Sequence, residues 1–386
     1  MLYSFLPITA SVLTAAMMLG ILAVLYSVIF LCSNWKRQKV IVSNILLSVS
    51  TVIIYIVREY YKDGVIGFYT VVLYFFPAFL AVFLFSKDDI QLLKKLAISI
   101  LIMIVITGST TFVALSLYPE LARDLAAFSS DSIIGLSTMY NVGGYEFTYC
   151  VVLSIPIYCL LAEKKTSALM RKLIEILIFM ISIIFIIKTQ YTTALLLGII
   201  SCGMIIGIRK FALKRLCILA ILGLLILGAF KGEIANELSN IATSIESESI
   251  SQRLNELSKA LEGGSITGED MTERGNAYGK SIVAFSEHPI LGTWSTSDHL
   301  EKLGGHSTVL DLLAGVGIFA FLLVMYAFYY VEKVMLSKNE GDITKKYVGI
   351  FLLIYTILAC VNPIINGTFF AMLFIVLPGI TLIENK

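Results

Sequence analysis

The side chains best suited to chemistry gather in one polar segment, residues 231–306, and in the apolar run that follows it. All three histidines of the chain lie in this segment, and the last, His306, stands five residues before Asp311. An imidazole can position a hydroxyl or accept its proton near neutral pH, and a carboxylate within a membrane span usually faces a polar cavity. Six basic side chains, which can bind anions, share the segment: Lys231, Arg253, Lys259, Arg274, Lys280 and Lys302. We therefore expect the function of the protein to reside here.

Each of these residues also has a purely structural interpretation. Arg253 lies at the border of an apolar helical stripe and Arg274 opens a second helix, positions from which arginines commonly reach for water at a membrane surface. His306 by itself is typical of a membrane interface, and Asp311 lies near enough to the edge of its apolar run for a capping or interfacial role. The three histidines are spaced by 11 and 7 residues without an acidic ligand pattern, so they predict no metal site.

Two amphipathic helices are predicted inside the segment. The first covers about 250–261, where apolar residues recur at helical spacing and Gly263 and Gly264 follow as a stop signal. The second covers about 273–286, where Tyr278, Ile282 and Phe285 form an apolar stripe and Pro289 prevents continuation.

The composition predicts the elements that position this segment. Hydrophobic residues make up 58% of the 386 positions and charged residues 15%, against about 25% charged in an ordinary soluble domain, and the mean hydropathy is +0.89. We expect an all-α polytopic membrane protein and no outer-membrane barrel, because runs such as 173–187 are apolar at every position. A net charge of +2 favours no nucleic-acid partner. The expected spans number eleven: roughly 8–32, 40–57, 65–85, 96–117, 142–162, 173–188, 191–208, 216–230, 307–330, 348–361 and 364–383.

Loop charge predicts the orientation of these spans. If the loop that holds Lys36, Arg37 and Lys39 is cytoplasmic, 19 of the 29 basic residues fall on the cytoplasmic side. The N-terminus is then outside and the C-terminus inside.

We expect residues 1–230 to form a transmembrane bundle of eight spans, 231–306 a large extracytoplasmic loop, and 307–386 three C-terminal spans. The predicted cytoplasmic loops are short and carry no P-loop pattern, which excludes ATP hydrolysis.

Two strings of residues in the chain match a known pattern. The first is R-x-x-x-Y-x-x-S-x-x-x-F-x-x-x-P-x-x-G, carried by Arg274, Tyr278, Ser281, Phe285, Pro289 and Gly292. The second is G-G-H-S-x-x-L-D-x-x-x-x-x-G, over 304–317. Together they resemble the family of Wzy-type O-antigen polymerases and O-antigen ligases, bacterial inner-membrane or plasma-membrane proteins with one large external loop. The element from Asn141 to Tyr145 also resembles capsular polymerases of this group. The resemblance implies a GT-C-like fold.

The resemblance implies a polyprenyl-diphosphate-dependent glycosyltransferase. Its members transfer a growing glycan from undecaprenyl diphosphate to a sugar hydroxyl of a new lipid-linked repeat unit, which builds capsular or O-antigen polysaccharide on the outer face of the membrane. By this resemblance Arg274 holds the donor diphosphate, His306 acts at the acceptor hydroxyl, and Arg253 is a second loop arginine. No cofactor is expected, because the diphosphate is already an activated leaving group. The expected partners are the lipid-linked donor and acceptor, membrane lipid and a chain-length regulator protein.

Three further residues are candidates for substrate binding. Many members of the family carry a Ser-Arg pair near the position of Tyr191, where this chain has Lys188-Thr-Gln-Tyr191, and Lys188 is expected to supply the positive charge instead. A lysine lacks the two-pronged fork of an arginine. Tyr278 is a candidate for stacking on a sugar, and Asp311 for a polar contact beside His306.

Two other functions stay open at this point. A ligase of the same family would move finished glycan to a different acceptor from the same donor site. A flippase or secondary transporter would place its binding site at mid-membrane between broken, repeated helices. The chain shows no internal repeat, and its polar residues concentrate in one loop. These features favour the polymerase.

Overall fold

The computed structural model describes residues 37–127, 131–207, 231–244, 269–295, 299–337 and 341–383, together with single positions at 25, 26, 29, 32, 33, 251, 255 and 258. Within these ranges, the side chains of 58–66, 126–127, 231–235 and 271–274 are among those not described.

The first half of the described chain consists mainly of long apolar helices, with two short helices in its middle. Helix α1 passes through a π-helical turn, Tyr55–Glu59, directly into α2. Their bounds are α1 Gln38–Ile54, α2 Tyr60–Ser86, α3 Ile90–Leu117, α4 Leu121–Ala127, α5 Asp131–Met139, α6 Tyr145–Lys165, α7 Ala168–Thr189 and α8 Thr192–Gly207.

The second half begins with helices of the polar segment and returns to apolar helices. A short 3₁₀ turn, Thr293–Ser295, lies between α10 and α11, and a π-helical turn, Met372–Val376, joins α14 to α15. The bounds are α9 Lys231–Ser244, α10 Glu269–Glu287, α11 His299–Lys302, α12 Thr308–Leu336, α13 Asp342–Val361, α14 Gly367–Ala371 and α15 Leu377–Thr381. Helix α10 confirms the helix predicted at 273–286, whereas the one predicted at 250–261 lies mostly outside the described residues.

Six of the described helices are long and apolar enough to cross a bilayer, as expected of an all-α multi-pass membrane protein. Each coincides with one of the eleven predicted spans. The predicted spans 173–188, 191–208 and 364–383 are also helical, but α7 carries several charged residues and the other two helices are shorter. The predicted spans 8–32 and 216–230 lie almost entirely outside the described residues. The count of eleven and the GT-C-like arrangement therefore stay predictions.

Helix α6 lies at the centre of the bundle. In its most apolar stretch 78% of the residues are buried, against 33% for α3. It packs against α7, α8 and α13, and its buried side chains include Tyr149, Cys150 and Leu153. Helix α3 instead keeps one apolar side uncovered, which is what a lipid-facing helix at the edge of a bundle requires.

The C-terminal helices fill the core beside α6. Phe370 packs edge-on against Phe75 of α2 and Phe328 of α12, with ring centroids 4.9 and 5.3 Å apart. Gly379 lets α15 approach α3 so closely that a Cβ atom there would lie 2.5 Å from the Cβ of Ala97. Small residues at such crossings let membrane helices pack backbone to backbone.

Helix ends from distant parts of the chain meet at the two ends of the bundle. At one end, α6 and α12 begin where α13 finishes, and Thr308 of α12 bonds to Asn362 just after α13. At the other end, the buried Lys164 of α6 donates to the carbonyls of Thr381 and Ile383, both at 2.6 Å, and so caps α15. The polar segment and the basic loops thus lie at opposite ends. Which end faces the cytoplasm stays a prediction.

Candidate active site

The backbone on both sides of His306 is held by one carboxylate. The N–H of Gly305 donates to Asp311 Oδ1 and the N–H of Ser307 donates to Asp311 Oδ2, each over 3.2 Å. The imidazole itself is exposed and makes no hydrogen bond or ion pair with any residue that the structure describes. The turn therefore fixes the position of His306 while its ring stays available to a substrate.

The local sequence explains this turn. Ser307 is the N-cap of α12, since its Oγ accepts from the N–H of Leu310 at 3.1 Å. Gly305 has φ +75°, a conformation that favours glycine. Gly304 lies so close to α10 that a Cβ atom there would be 2.0 Å from the carbonyl oxygen of Ala277. Gly305 thus allows the chain to reverse its direction before His306, and Gly304 allows the close approach to α10.

Ser281 joins the turn to α10. Its hydroxyl donates to Asp311 Oδ1 over 2.6 Å, and its Oγ accepts from the N–H of Gly304 over 2.9 Å. Ser281 is 1% exposed, so the hydroxyl that makes both bonds is buried. The serine and the aspartate of the two motif strings, 30 residues apart, are therefore direct partners.

The same two strings meet a second time below this turn. Gly317 interrupts α12 with φ 72° and ψ 177°, and the N–H of Ile318 donates to the carbonyl of Pro289 over 2.9 Å. A Cβ atom at Gly317 would lie 2.2 Å from the carbonyl oxygen of Ile290, and one at Gly292 would lie 2.3 Å from that of Gly315. The turn 289–292 therefore packs backbone to backbone on the kink of α12.

His299 is a structural member of the site. Its ring is 1% exposed, with Nε2 2.6 Å from the carbonyl oxygen of Val57 and Nδ1 2.8 Å from Oγ1 of Thr293. Because a carbonyl only accepts, Nε2 donates to Val57, while Nδ1 and the Thr293 hydroxyl share the second hydrogen bond. The π-helical turn after α1 is thus tied to the polar segment. The sequence showed only a histidine in a polar stretch, so this partner could not be foreseen.

Asn362 is a second residue that sequence reasoning missed. Its carbonyl accepts from both the N–H and the hydroxyl of Thr308, each over 3.2 Å, and Tyr145 donates to its side-chain oxygen. Asn362 is 2% exposed, and its Nδ2 has no partner among the described residues. The available signal was the Asn-Pro step at 362–363, which breaks one apolar run into two.

The element from Asn141 to Tyr145 lies beside Asn362. Asn141 Nδ2 donates to the hydroxyls of Thr107 and Thr110 over 3.1 Å, and φ at Asn141 is +50°. The Tyr145 ring packs edge-on against that of Tyr191, with centroids 5.6 Å apart. The contact of Tyr145 with Asn362 brings this element next to the start of α12.

The structure locates the other predicted site residues as follows. Arg274 is part of α10, one turn before Tyr278, and its side chain is not described. The Tyr278 hydroxyl donates to the carbonyl of Val361 over 2.8 Å, which ties α10 to the end of α13. Lys188 is exposed, with Nζ 5.8 Å above the ring of Phe112. Arg253 lies outside the described residues.

The arrangement brings some of the predicted residues together and leaves one apart. One network of hydrogen bonds around the start of α12 joins Asp311 to the backbone beside His306, and Tyr278 bonds to the end of α13. The described contact of Lys188 is to α3 instead. Both Asp311 oxygens are engaged within the protein, and an ionised carboxylate has further lone pairs for another donor. Such a site can present an imidazole to a polar substrate at the end of a membrane span.

No family model matches the chain, and no curated protein matches its sequence. The resemblance to O-antigen polymerases and ligases therefore rests on the two strings of residues quoted above. The contacts between Ser281, Asp311 and Gly304, and between 289–292 and Gly317, are independent of that resemblance.

Proposed function

We propose that the protein is a polysaccharide repeat-unit polymerase, which transfers a growing glycan from undecaprenyl diphosphate to a sugar hydroxyl of a second lipid-linked repeat unit. The His306 turn is the observation that supports this most. Its imidazole is exposed while the backbone on both sides is bound to Asp311. A group held in this way where a membrane span begins suits a substrate whose lipid lies in the bilayer and whose sugars stand in water.

The donor half of the reaction needs positive charge. As the bond between the anomeric carbon and the diphosphate oxygen breaks, its electron pair leaves with the diphosphate, and a guanidinium aimed at those oxygens stabilises the charge. Arg274 is the proposed group, because it lies on α10, the helix whose Ser281 bonds directly to the His306 turn.

The acceptor half needs a proton acceptor or a positioning group. In the proposed reaction the hydroxyl oxygen of the acceptor sugar attacks the anomeric carbon, and its proton passes to the His306 imidazole. A single displacement of this kind inverts the configuration at that carbon. Tyr278 and Asp311 are proposed to line the acceptor side, and Lys188 to meet the substrate away from the reacting atoms.

The proposed function is tested by the lipid-linked intermediates of a deletion strain, measured by mass spectrometry. A polymerase predicts that single undecaprenyl-linked repeats accumulate on the external side. Long unattached chains would instead indicate a ligase, and repeats trapped inside would indicate a flippase. Either of these results would overturn the proposal.

Variants of His306 test its role in a reconstituted assay. His306→Ala is expected to lower activity by about 10²–10⁴-fold without loss of donor binding. Glutamine can hold a hydroxyl but cannot take its proton. An inactive His306→Gln therefore supports His306 as the base, whereas an active one shows that His306 only positions the acceptor hydroxyl. His288→Ala is the matched control, because this half-buried histidine of the same segment lies outside the network. Normal activity of His306→Ala would show that His306 takes no part in the reaction.

The same assay tests the donor half. Arg274→Lys keeps the charge but loses the two-pronged contact with a diphosphate, so most activity should disappear while the protein still accumulates in the membrane. Arg253→Lys should have the smaller effect. Near-normal polymer from the Arg274 variant would show that this arginine only lines the membrane surface.

A further inference from the structure

A cavity of about 590 Å³ opens between α3, α6 and α7, at the end of the bundle opposite the candidate active site. Three lysines line it, Lys94 and Lys95 near the start of α3 and Lys165 at the end of α6. No Asp or Glu side chain is among its lining residues in the described part of the chain. The cavity therefore concentrates positive charge where two helices end at the same membrane face.

Among the residues that the structure describes, no acidic partner neutralises these three charges. Lys95 and Lys165 are exposed and Lys94 is half-buried, and none forms an ion pair or a hydrogen bond with the residues that the structure describes. Lys164, the neighbouring lysine, is turned inward to the carbonyls of Thr381 and Ile383. Like charges close together repel each other, so a bound anion among Lys94, Lys95 and Lys165 would relieve that repulsion.

The cavity continues into the membrane as an apolar groove. A second space of about 230 Å³ shares Ile98, Tyr158 and Leu161 with the first and extends along α3 to Ile106. From Ile98 to Ile106 the helix rises by about 12 Å. The groove side of α3 is uncovered, with Ile98, Ile102 and Ile106 between 40% and 54% exposed. The hydroxyl of Tyr158 is bonded to the carbonyl of Leu101 over 2.8 Å, which leaves the groove apolar.

We propose that this cavity and groove bind one anionic phospholipid. The head-group phosphate lies among Lys94, Lys95 and Lys165, and an acyl chain follows the groove along Ile98, Ile102 and Ile106. Basic pockets between membrane helices recognise anionic head groups in this way. The pairing of cations at the interface with an apolar path into the bilayer fits a lipid, because a free phosphate would use the lysines and leave the groove uncovered.

The test is native mass spectrometry of the full chain purified in a neutral detergent. Phosphatidylglycerol should remain bound under conditions that remove phosphatidylcholine of the same chain length. A variant with Lys94, Lys95 and Lys165 all changed to Gln should lose phosphatidylglycerol affinity by about tenfold or more. The matched control changes Lys87, Lys345 and Lys346 to Gln, since these lysines belong to the same predicted face but do not line the cavity. This control should bind as the unchanged protein does.

A second variant tests the apolar half separately. Ile102→Trp fills the groove and leaves all three lysines in place, so it should weaken phosphatidylglycerol binding even if the lysine variant fails to fold. Equal retention of the two lipids, or unchanged binding by Ile102→Trp, would overturn the proposal. Displacement of the lipid by millimolar inorganic phosphate would also overturn it, in favour of a plain anion site. The protein could instead form a dimer that covers the groove, with lipid binding unchanged when the lysines are replaced. That result would show that the groove is an interface with a second copy and would also overturn the proposal.

Discussion

At the residue scale, the candidate site depends on a few short polar contacts. The Ser281 hydroxyl both donates to Asp311 and accepts from the N–H of Gly304, so it connects α10 to the His306 turn. Because Asp311 also holds the N–H groups of Gly305 and Ser307, removing Ser281 loosens the carboxylate that fixes the turn.

Ser281→Ala is expected to lower activity and to destabilise the protein. The partly buried Gly304 N–H and one Asp311 oxygen lose a partner, and the cost is at most the roughly 1–3 kcal/mol of a fully buried unsatisfied group. Polymer formation and thermal unfolding in detergent are the measurements. Ser286→Ala is the control, because Ser286 lies on the same helix and its hydroxyl, within the described part of the chain, bonds to the carbonyl of Val283 alone. Equal behaviour of the two variants would show that Ser281 does not hold the turn.

At the scale of elements, the kink of α12 and the turn after α10 fit one another. Gly292 and Gly317 let the turn 289–292 and the backbone of α12 approach within distances that a Cβ atom would prevent. Gly315 faces Val57, the residue whose carbonyl accepts from His299. The π-helical turn after α1, the turn 289–292 and the start of α12 therefore form one packed unit below the His306 turn.

Gly317→Ala is expected to destabilise this unit. A side chain with φ near +72° and extended ψ costs about 1–3 kcal/mol in strain, and the added Cβ would also meet the carbonyl oxygen of Ile290. Gly279→Ala is the control, since nothing lies within 4 Å of a Cβ atom there and alanine favours a helix by about 1 kcal/mol over glycine. Thermal unfolding and activity are measured for both. A Gly317→Ala protein as stable as the control would show that the kink is not required.

At the scale of the whole molecule, the polar network and the lysine-lined cavity occupy opposite ends of the bundle. The basic loops predict that the cavity end is cytoplasmic and that 231–306 is outside. A glycan polymerase needs this orientation, because its lipid-linked substrates are used on the outer face of the membrane.

Single cysteines test the orientation in a variant that lacks the six native cysteines. A cysteine at Ser265 should react with an impermeant maleimide added to intact cells, and a cysteine at Lys338 should react only after the membrane is opened. The excess of basic residues in one set of loops is the reason for this expectation. Labelling at 338 from outside would reverse the orientation and remove the proposed site from the outer face.

The class of protein and many of its local elements follow from the amino-acid sequence. Apolar runs of membrane length and the stripe at 273–286 depend only on residues near each other in the chain, so periodicity and hydropathy were sufficient to predict them. Pro289 marked the end of α10 correctly, since helix α10 finishes at Glu287. His306 by itself was typical of a membrane interface, and it became a candidate through the resemblance of the string at 304–317.

Which polar groups meet depends on the packing of helices that are far apart in the chain. Ser281 and Asp311 are 30 residues apart, Tyr145 and Asn362 are 217 apart, and His299 and Val57 are 242 apart. No local pattern encodes such pairs, because each depends on which helix ends are brought together by packing in the core. The same holds for the lysine cavity, where α3 and α6 contribute charges that are unremarkable in either helix alone. Once they are buried, these polar groups need the partners that the fold brings to them, because an unpaired polar group away from water is unfavourable.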